Sequence, residues 1–273
     1  MRITSPANPR IKALARLLER RHRTSEQRFL IEGAREIERA LQAGIELEQA
    51  LVWEGGLNPE EQRVYAALRR EGLALLEVSE AVLKRLSPRE NPAGIIASAR
   101  SPRQTLKDYP PSSSALILVA VGLEKPGNLG ALLRSADAAG AEAVLVAGGV
   151  DLYSPQVIHN STGVVFSLRT LAASESEVLD WIQQHNLPLV AATPHTHTLY
   201  WEADLRPPVA IAVGPEHEGL SALWLKAAQT KVRIPMRGQA DSLNVSVSAA
   251  LLLYEALRQR LLRDGLTKMH STL

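Results

Sequence analysis

The sequence predicts an α/β protein of two units, the second built on a parallel sheet. Three observations carry this expectation. Short apolar runs alternate with stretches of helical periodicity along most of the chain. A segment rich in proline and serine, 101–114, interrupts the alternation. Beyond it the apolar runs are apolar throughout, as strands covered by helices on both faces must be.

Taken in order, Asn8-Pro9 offers an N-cap followed by a first-turn proline. Ile11, Leu14, Leu17 and Leu18 then form an apolar stripe at helical spacing. Phe29–Ile31 reads as a strand, and Ala34–Ala43 as a helix stopped by Gly44. Leu47–Trp53 and Leu73–Val78 read as strands around a helix at Pro59–Glu71. A short helix at Ala81–Leu86 and a strand at Gly94–Ala99 complete a small alternating unit. The expected division is therefore a first domain over 1–100, an extended linker over 101–114 and a second domain over 115–273. In the second, strands are expected at Ala115–Val121, Ala143–Val146, Leu187–Ala192, Val209–Val213 and Lys231–Ile234. Helices are expected at Leu129–Ala139, Pro155–Ser161, Glu175–Gln184 and Leu220–Ala228, with a long final helix over Val245–Leu262.

Composition narrows the chemistry. The 273 residues contain no cysteine, which excludes disulfides, thiolate catalysis and cysteine-bound zinc. No run of eighteen apolar residues occurs, and Met1–Pro6 lacks the apolar core of a signal peptide; a cytoplasmic protein is expected. The net charge is only +2, but residues 1–35 hold nine Arg or Lys against three Glu, whereas 36–100 hold eight against eleven. A basic leader on a near-neutral body fits a polyanion partner, and it equally fits a solvated helix face.

Three loops at the carboxyl ends of expected strands combine glycine with polar residues. The first runs Gly122-Leu-Glu-Lys-Pro-Gly-Asn-Leu-Gly-Ala-Leu-Leu-Arg134. Its backbone amides sit at a helix start, where anions bind, but no P-loop or dinucleotide glycine pattern is present. Arg134 lies on a small, apolar helix, and a plain surface arginine is the competing reading. The second, Val213-Gly-Pro-Glu-His-Glu-Gly219, places Gly214 where a ligand can approach the backbone closely and Glu216 where a carboxylate favours a helix dipole. The third runs Ile234-Pro-Met-Arg-Gly-Gln-Ala-Asp-Ser-Leu-Asn-Val-Ser-Val-Ser248. Asp241, Ser242 or Asn244 could cap the last helix, but one cap does not account for the whole polar turn. His195-Thr-His197 has a metal-like spacing without an evident third ligand, and a solvated loop is the favoured reading; no metal is expected. The absence of a Gly-x-Ser-x-Gly elbow speaks against a serine hydrolase.

The ordered set resembles the SpoU family, of the SPOUT superfamily, of S-adenosylmethionine-dependent RNA ribose 2′-O-methyltransferases. Asn128-x-Gly130-x-x-x-Arg134 looks like its first motif, and Gly214-Pro-Glu216-x-x-Gly219-Leu220 like its second. Ile234-Pro-Met-x-Gly238-x-x-x-Ser242-Leu-Asn-Val-Ser246 looks like its third. Two positions depart from the family: His159 stands where arginine is common, and Pro215 replaces a small polar residue. Residues 1–100 resemble the family's N-terminal RNA-binding module of the ribosomal L30e type.

The resemblance implies a C-terminal parallel-sheet domain with a deep trefoil knot, a topology that sequence reasoning otherwise rejects. It also implies a homodimer through the knotted domain, with Val247, Leu251, Tyr254 and Leu261 either at that contact or in the core. It implies S-adenosylmethionine held by backbone at Gly214, Ile234 and Leu243, with Thr193 and Met236 as further contacts. Arg134 would be the catalytic arginine, with Asn128, Glu216, Ser242 and Asn244 positioning it and the ribose hydroxyl. A guanidinium is a poor base near neutrality, so a forked phosphate contact that orients the ribose is the preferred role. The acceptor must be RNA, since DNA lacks the 2′-hydroxyl. Ribosomal RNA is preferred to transfer RNA, and a non-catalytic RNA-binding protein on the same scaffold is the alternative from another class.

Overall fold

The computed structural model describes residues 2–206 and 208–263. In chain order the first elements are β1 (Arg2–Ile3), α1 (Pro9–Arg16), α2 (Arg20–Glu26), β2 (Arg28–Glu32), α3 (Ala34–Gln42), β3 (Leu47–Val52), α4 (Pro59–Arg70), β4 (Leu75–Val78), α5 (Glu80–Leu86) and β5 (Ile95–Arg100). Next come β6 (Leu116–Val121), α6 (Pro126–Ala138), β7 (Ala143–Ala147), α7 (Pro155–Asn160), α8 (Val164–Ser167), β8 (Arg169–Ala173) and α9 (Glu175–Gln184). The last are β9 (Leu189–Ala192), β10 (Val209–Val213), α10 (Ala222–Ala227), β11 (Thr230–Val232) and α11 (Val245–Arg263). They form two compact units: Met1–Arg103 with Asp151–Ser167, and Gln104–Val150 with Leu168–Leu273. Of the expected second domain, 264–273 lies outside the described residues. Among the described residues no helix is long and apolar enough to cross a membrane.

The first unit carries a mixed sheet in the order β1-β4-β3-β5-β2, with β5 antiparallel to both neighbours. The cap expected at Asn8 is present: its Oδ1 accepts the Arg10 amide at 2.9 Å. Ile11, Leu14 and Leu17 then pack on Val82, Leu83 and Leu86 of α5. Gly44 ends α3 at a φ of +74°, in the left-handed region that glycine occupies without strain.

Three elements here were not expected, β1, α2 and α8. Helix α2 has no apolar stripe, so periodicity could not reveal it. It is held by Arg23, which is 6% exposed. The Arg23 Nε donates to Asp151 Oδ2 at 2.7 Å and its Nη1 to the Leu17 carbonyl at 2.7 Å. Other cations of the leader are also engaged internally: Arg28 with Glu48 at 2.6 Å, Arg21 with Glu19 at 2.8 Å, and Arg10 with Gln49. Part of the basic leader is thus structural, while Lys12 and Arg35 remain exposed.

The segment Asp151–Ser167 belongs to the first unit because of its aromatics. Tyr153 and Phe166 stack on the fully buried Phe29, with ring centroids 4.7 and 5.9 Å away. Such pairs contribute about 1 kcal/mol each beyond area burial.

The second unit is a six-stranded, wholly parallel sheet in the order β11-β9-β10-β6-β7-β8. Strands β6, β7 and β10 are buried along their whole length, as their unbroken apolar sequences require. Strand β8 went unrecognised, since Arg169-Thr-Leu-Ala-Ala173 lacks a strong apolar or alternating signal. The 101–114 stretch is not an extended linker throughout. Leu106 and Tyr109 are buried in the core of this unit, and Trp181 stacks on Tyr109 and donates its indole N–H to the Tyr109 carbonyl at 2.9 Å. Proline and serine content conceals such anchoring, because one aromatic suffices to dock a polar segment.

Candidate active site

Strand order in the second unit reverses between β6 and β10. The chain starts at β6 and moves outward through β7 and β8, and it then returns on the opposite side with β9 and β10. Such a switch point leaves a crevice beyond the carboxyl ends of the strands, where open α/β sheets bind ligands. The loops that leave β6 and β10 carry Asn128 and Glu216 to this place, and the segment entering α11 brings Asn244 against them.

These three side chains form a directed network. The Asn244 Oδ1 accepts the Ser246 amide at 3.0 Å, so Asn244 is the N-cap of α11. A backbone amide can only donate, which leaves the Asn244 Nδ2 free to point the other way. It donates to Asn128 Oδ1 at 3.1 Å and to Glu216 Oε1. The Asn128 Nδ2 in turn donates to Glu216 Oε1 at 3.2 Å, and the Val245 amide approaches the same oxygen at 3.4 Å. The cap thus occupies one end of the amide and leaves the other to Asn128 and Glu216. Glu216 also serves a helix start, that of α11, where its negative charge is favourable.

Beside the network lies a cavity of about 200 Å³. Its walls include Thr193, Gly214, Glu216, Ile234, Met236, Ser242 and Leu243. All five residues expected to hold a cofactor therefore line one cavity. Thr193 is fixed there by its backbone N–H, which donates to the Val232 carbonyl at 2.9 Å. Gly214 admits no side chain: a Cβ there would stand 2.6 Å from the Gly219 carbonyl carbon and 2.8 Å from the Leu220 nitrogen. Gly214→Ala is expected to displace the Gly214–Leu220 turn and weaken cofactor binding at least about tenfold, an effect of about 1.4 kcal/mol read by calorimetry.

Arg134 stands apart. It lies six residues beyond Asn128 on α6, roughly 9 Å along the axis. It is exposed, lines no part of the cavity, and makes no hydrogen bond or ion pair among the described residues. Ser242 lines the cavity but is likewise without a partner. His195 lines the cavity and His197 does not, and no metal-binding cluster exists among the described residues. His159 belongs to the first unit, where its Nδ1 is 3.8 Å from Glu36.

Lys125 was not anticipated. Its Nζ stands 4.0 Å from Glu216 Oε2, and its side chain is 72% exposed. Its position immediately before Pro126, the first residue of α6, was the available signal.

The family described as the SpoU rRNA Methylase family matches residues 115–254, and an MRM3-like substrate binding domain matches 8–97. A 23S rRNA (uridine(2479)-2′-O)-methyltransferase from Streptomyces viridochromogenes is 32% identical over 270 residues, covering 95% of this chain and 93% of that protein. A crystal structure described as an RNA 2′-O ribose methyltransferase is 86% identical, with a TM-score of 0.86, covering 96% of this chain and 100% of the other. The AdoMet-bound rRNA methyltransferase from Sinorhizobium meliloti is 28% identical, with a TM-score of 0.86 over 95% of this chain and 98% of that one.

Proposed function

The chain belongs to the SpoU rRNA methylase family, and from that membership we propose that it methylates a ribose 2′-hydroxyl of ribosomal RNA using S-adenosylmethionine. The observation that carries this reading is the coincidence of the cavity with the Asn128–Glu216–Asn244 network at the sheet's switch point.

The cavity suits this cofactor. Leu220, Leu225, Val232, Ile234 and Leu243 supply apolar walls for a flat ring, and at Gly214 the wall is bare backbone. When bound, S-adenosylmethionine supplies a methyl group already activated on a sulfonium. The protein's part is alignment and help with the hydroxyl proton. Thr193, Gly214, Ile234, Met236 and Leu243 hold the cofactor. Arg134 grips an RNA phosphate by a forked contact and orients the ribose, which its unpartnered guanidinium allows. Asn128, Glu216 and Asn244 fix the start of α6 against the start of α11, and Ser242 offers a free hydroxyl at the cavity edge.

Residues 1–100 serve as the RNA-binding module, which the substrate-binding match supports. Exposed Lys12 and Arg35 suit phosphate contact. Replacing both by glutamine is expected to lower the slope of log affinity against log salt by about 1.5, whereas Arg23→Gln is expected to cost stability of about 3 kcal/mol in urea unfolding instead. A homodimer through α11 is supported by Val247 and Tyr254, which are seven residues apart and 46% and 50% exposed. The trefoil knot of the family fits the path by which Leu243 and Asn244 return to the β6–β10 crevice. The proposed setting is cytoplasmic.

The test is incubation of ribosomal RNA with the protein and methyl-labelled S-adenosylmethionine, followed by nucleoside analysis. A labelled 2′-O-methyl nucleoside at one position is expected. Cofactor binding without label in any ribose would overturn the reading in favour of a non-catalytic RNA binder.

A further inference from the structure

The first unit contains a second cavity, of about 150 Å³, bounded by α7, the end of β2 and the turn after α5. Its composition differs from that of a structural void. Pro88, Pro155 and Ile158 give it apolar faces, and Gln156, His159 and Asn160 stand on its α7 side. On a helix, positions 156, 159 and 160 share one face. Val157 meets the core instead, and Ile158 is buried where it lines the cavity. The side-chain amides of Gln156 and Asn160 make no hydrogen bond among the described residues, although Asn160 is only partly exposed. Opposite them is Arg89, whose Nη1 is 3.4 Å from Glu32 Oε1. Glu32 is itself committed, accepting the Ser87 hydroxyl at 2.6 Å and the Ala93 amide at 2.8 Å. The cluster is therefore anchored on one side and open on the other.

We propose that this cavity receives an unpaired nucleobase of the RNA. Two free amides, each with donors and an acceptor, match the mixed polar edge that every base presents, and proline and isoleucine faces match its flat apolar sides. Arg89 on the rim is placed for the adjoining phosphate. Paired bases cannot enter a cavity of this size, so the pocket distinguishes a looped or unstacked strand from a helix. The inference also accounts for the excursion of Asp151–Ser167: the stacking of Tyr153 and Phe166 on Phe29 locks the segment into the first unit, where it supplies one wall of the pocket. The proposal rests on the RNA-directed reading above, naming where that unit meets its substrate.

The test compares the wild-type chain with Gln156→Ala/Asn160→Ala, and separately with Arg89→Ala, using fluorescence anisotropy. The probes are a mixed-sequence 20-nucleotide single-stranded RNA and the same strand annealed to its complement. Because the two amides hold nothing in the fold, the double variant is expected to melt like wild type. It is expected to lose about tenfold in affinity for the single strand and less than about twofold for the duplex, two hydrogen bonds being removed. Arg89→Ala is expected to weaken both probes and flatten the salt dependence. Equal loss on both probes by the double variant, or no loss, overturns the pocket. Methylation is scored separately: single-strand preference that depends on Gln156 and Asn160 without methyl transfer by wild type leaves the pocket standing and removes the enzyme. Methyl transfer without that preference does the reverse.

Discussion

Arg134→Ala is expected to reduce methyl transfer to ribosomal RNA by about 100-fold or more, while cofactor affinity stays within about twofold. The argument starts from what Arg134 lacks. Its guanidinium is exposed on α6 and unpartnered among the described residues, so its removal breaks no hydrogen bond or ion pair among them and α6 loses nothing in propensity. It does not line the cavity, so the cofactor loses no wall. What remains is the proposed contact with RNA. A forked, charge-assisted contact contributes about 3 kcal/mol where it is retained in the transition state, which is a factor of about 100 in rate. Arg134→Lys is expected to recover little, since an ammonium keeps the charge but not the two parallel donors. Single-turnover kinetics at saturating RNA make the measurement. A normal rate for Arg134→Ala would remove this residue from the machinery.

How much of this was legible in the sequence depended on the kind of signal. The second unit's buried strands were readable because β6, β7 and β10 are apolar throughout, and a parallel sheet covered on both faces demands it. The capped helix at Asn8 was readable too. Helix α2 was not, because what holds it is one buried arginine rather than a stripe, and the partner, Asp151, is distant in sequence. The docking of 101–114 through Tyr109 and the withdrawal of Asp151–Ser167 into the first unit share that cause. Each is a long-range contact of a single aromatic or charged side chain, invisible to periodicity. The site was legible in parts: Gly214 and Glu216 stood out at a strand end, and the loop Ile234–Ser248 stood out by its polarity. Their convergence was not, because it follows from strand order, which places β10 beside β6 although 87 residues separate Val121 from Val209. Family resemblance filled that gap by grouping the motifs before any distance was known.

Glu216→Ala is expected to damage stability and catalysis together, which separates it from Arg134→Ala. One carboxylate oxygen accepts from Asn128 at 3.2 Å, from Asn244, and from the Val245 amide at 3.4 Å. Deleting it leaves the Asn128 Nδ2 and the start of α11 without this acceptor, and the Asn244 Nδ2 with Asn128 Oδ1 alone. Partial exposure lets water replace some of these bonds, so a loss of about 2 kcal/mol in unfolding free energy is expected rather than the sum of three. The larger effect is on order. Asn244 keeps its cap on α11 through Oδ1 and its bond to Asn128 on α6, but neither amide is any longer tied to the loop that follows β10. Ser242 and Leu243, immediately before Asn244, then lose the register that puts them on the cavity wall. Methyl transfer is expected to fall by about 100-fold, with cofactor affinity falling as well. Glu216→Gln retains one acceptor but turns an amide donor toward the approaching N–H groups or toward Lys125, so it should lie between the two. A double-mutant cycle with Asn244→Ala makes the assignment quantitative: a coupling of about 1 kcal/mol or more in unfolding free energy is expected of directly bonded partners. Additive losses would mean that Glu216 acts on the cavity without Asn244, and the network would not be the device that holds α11 to the site.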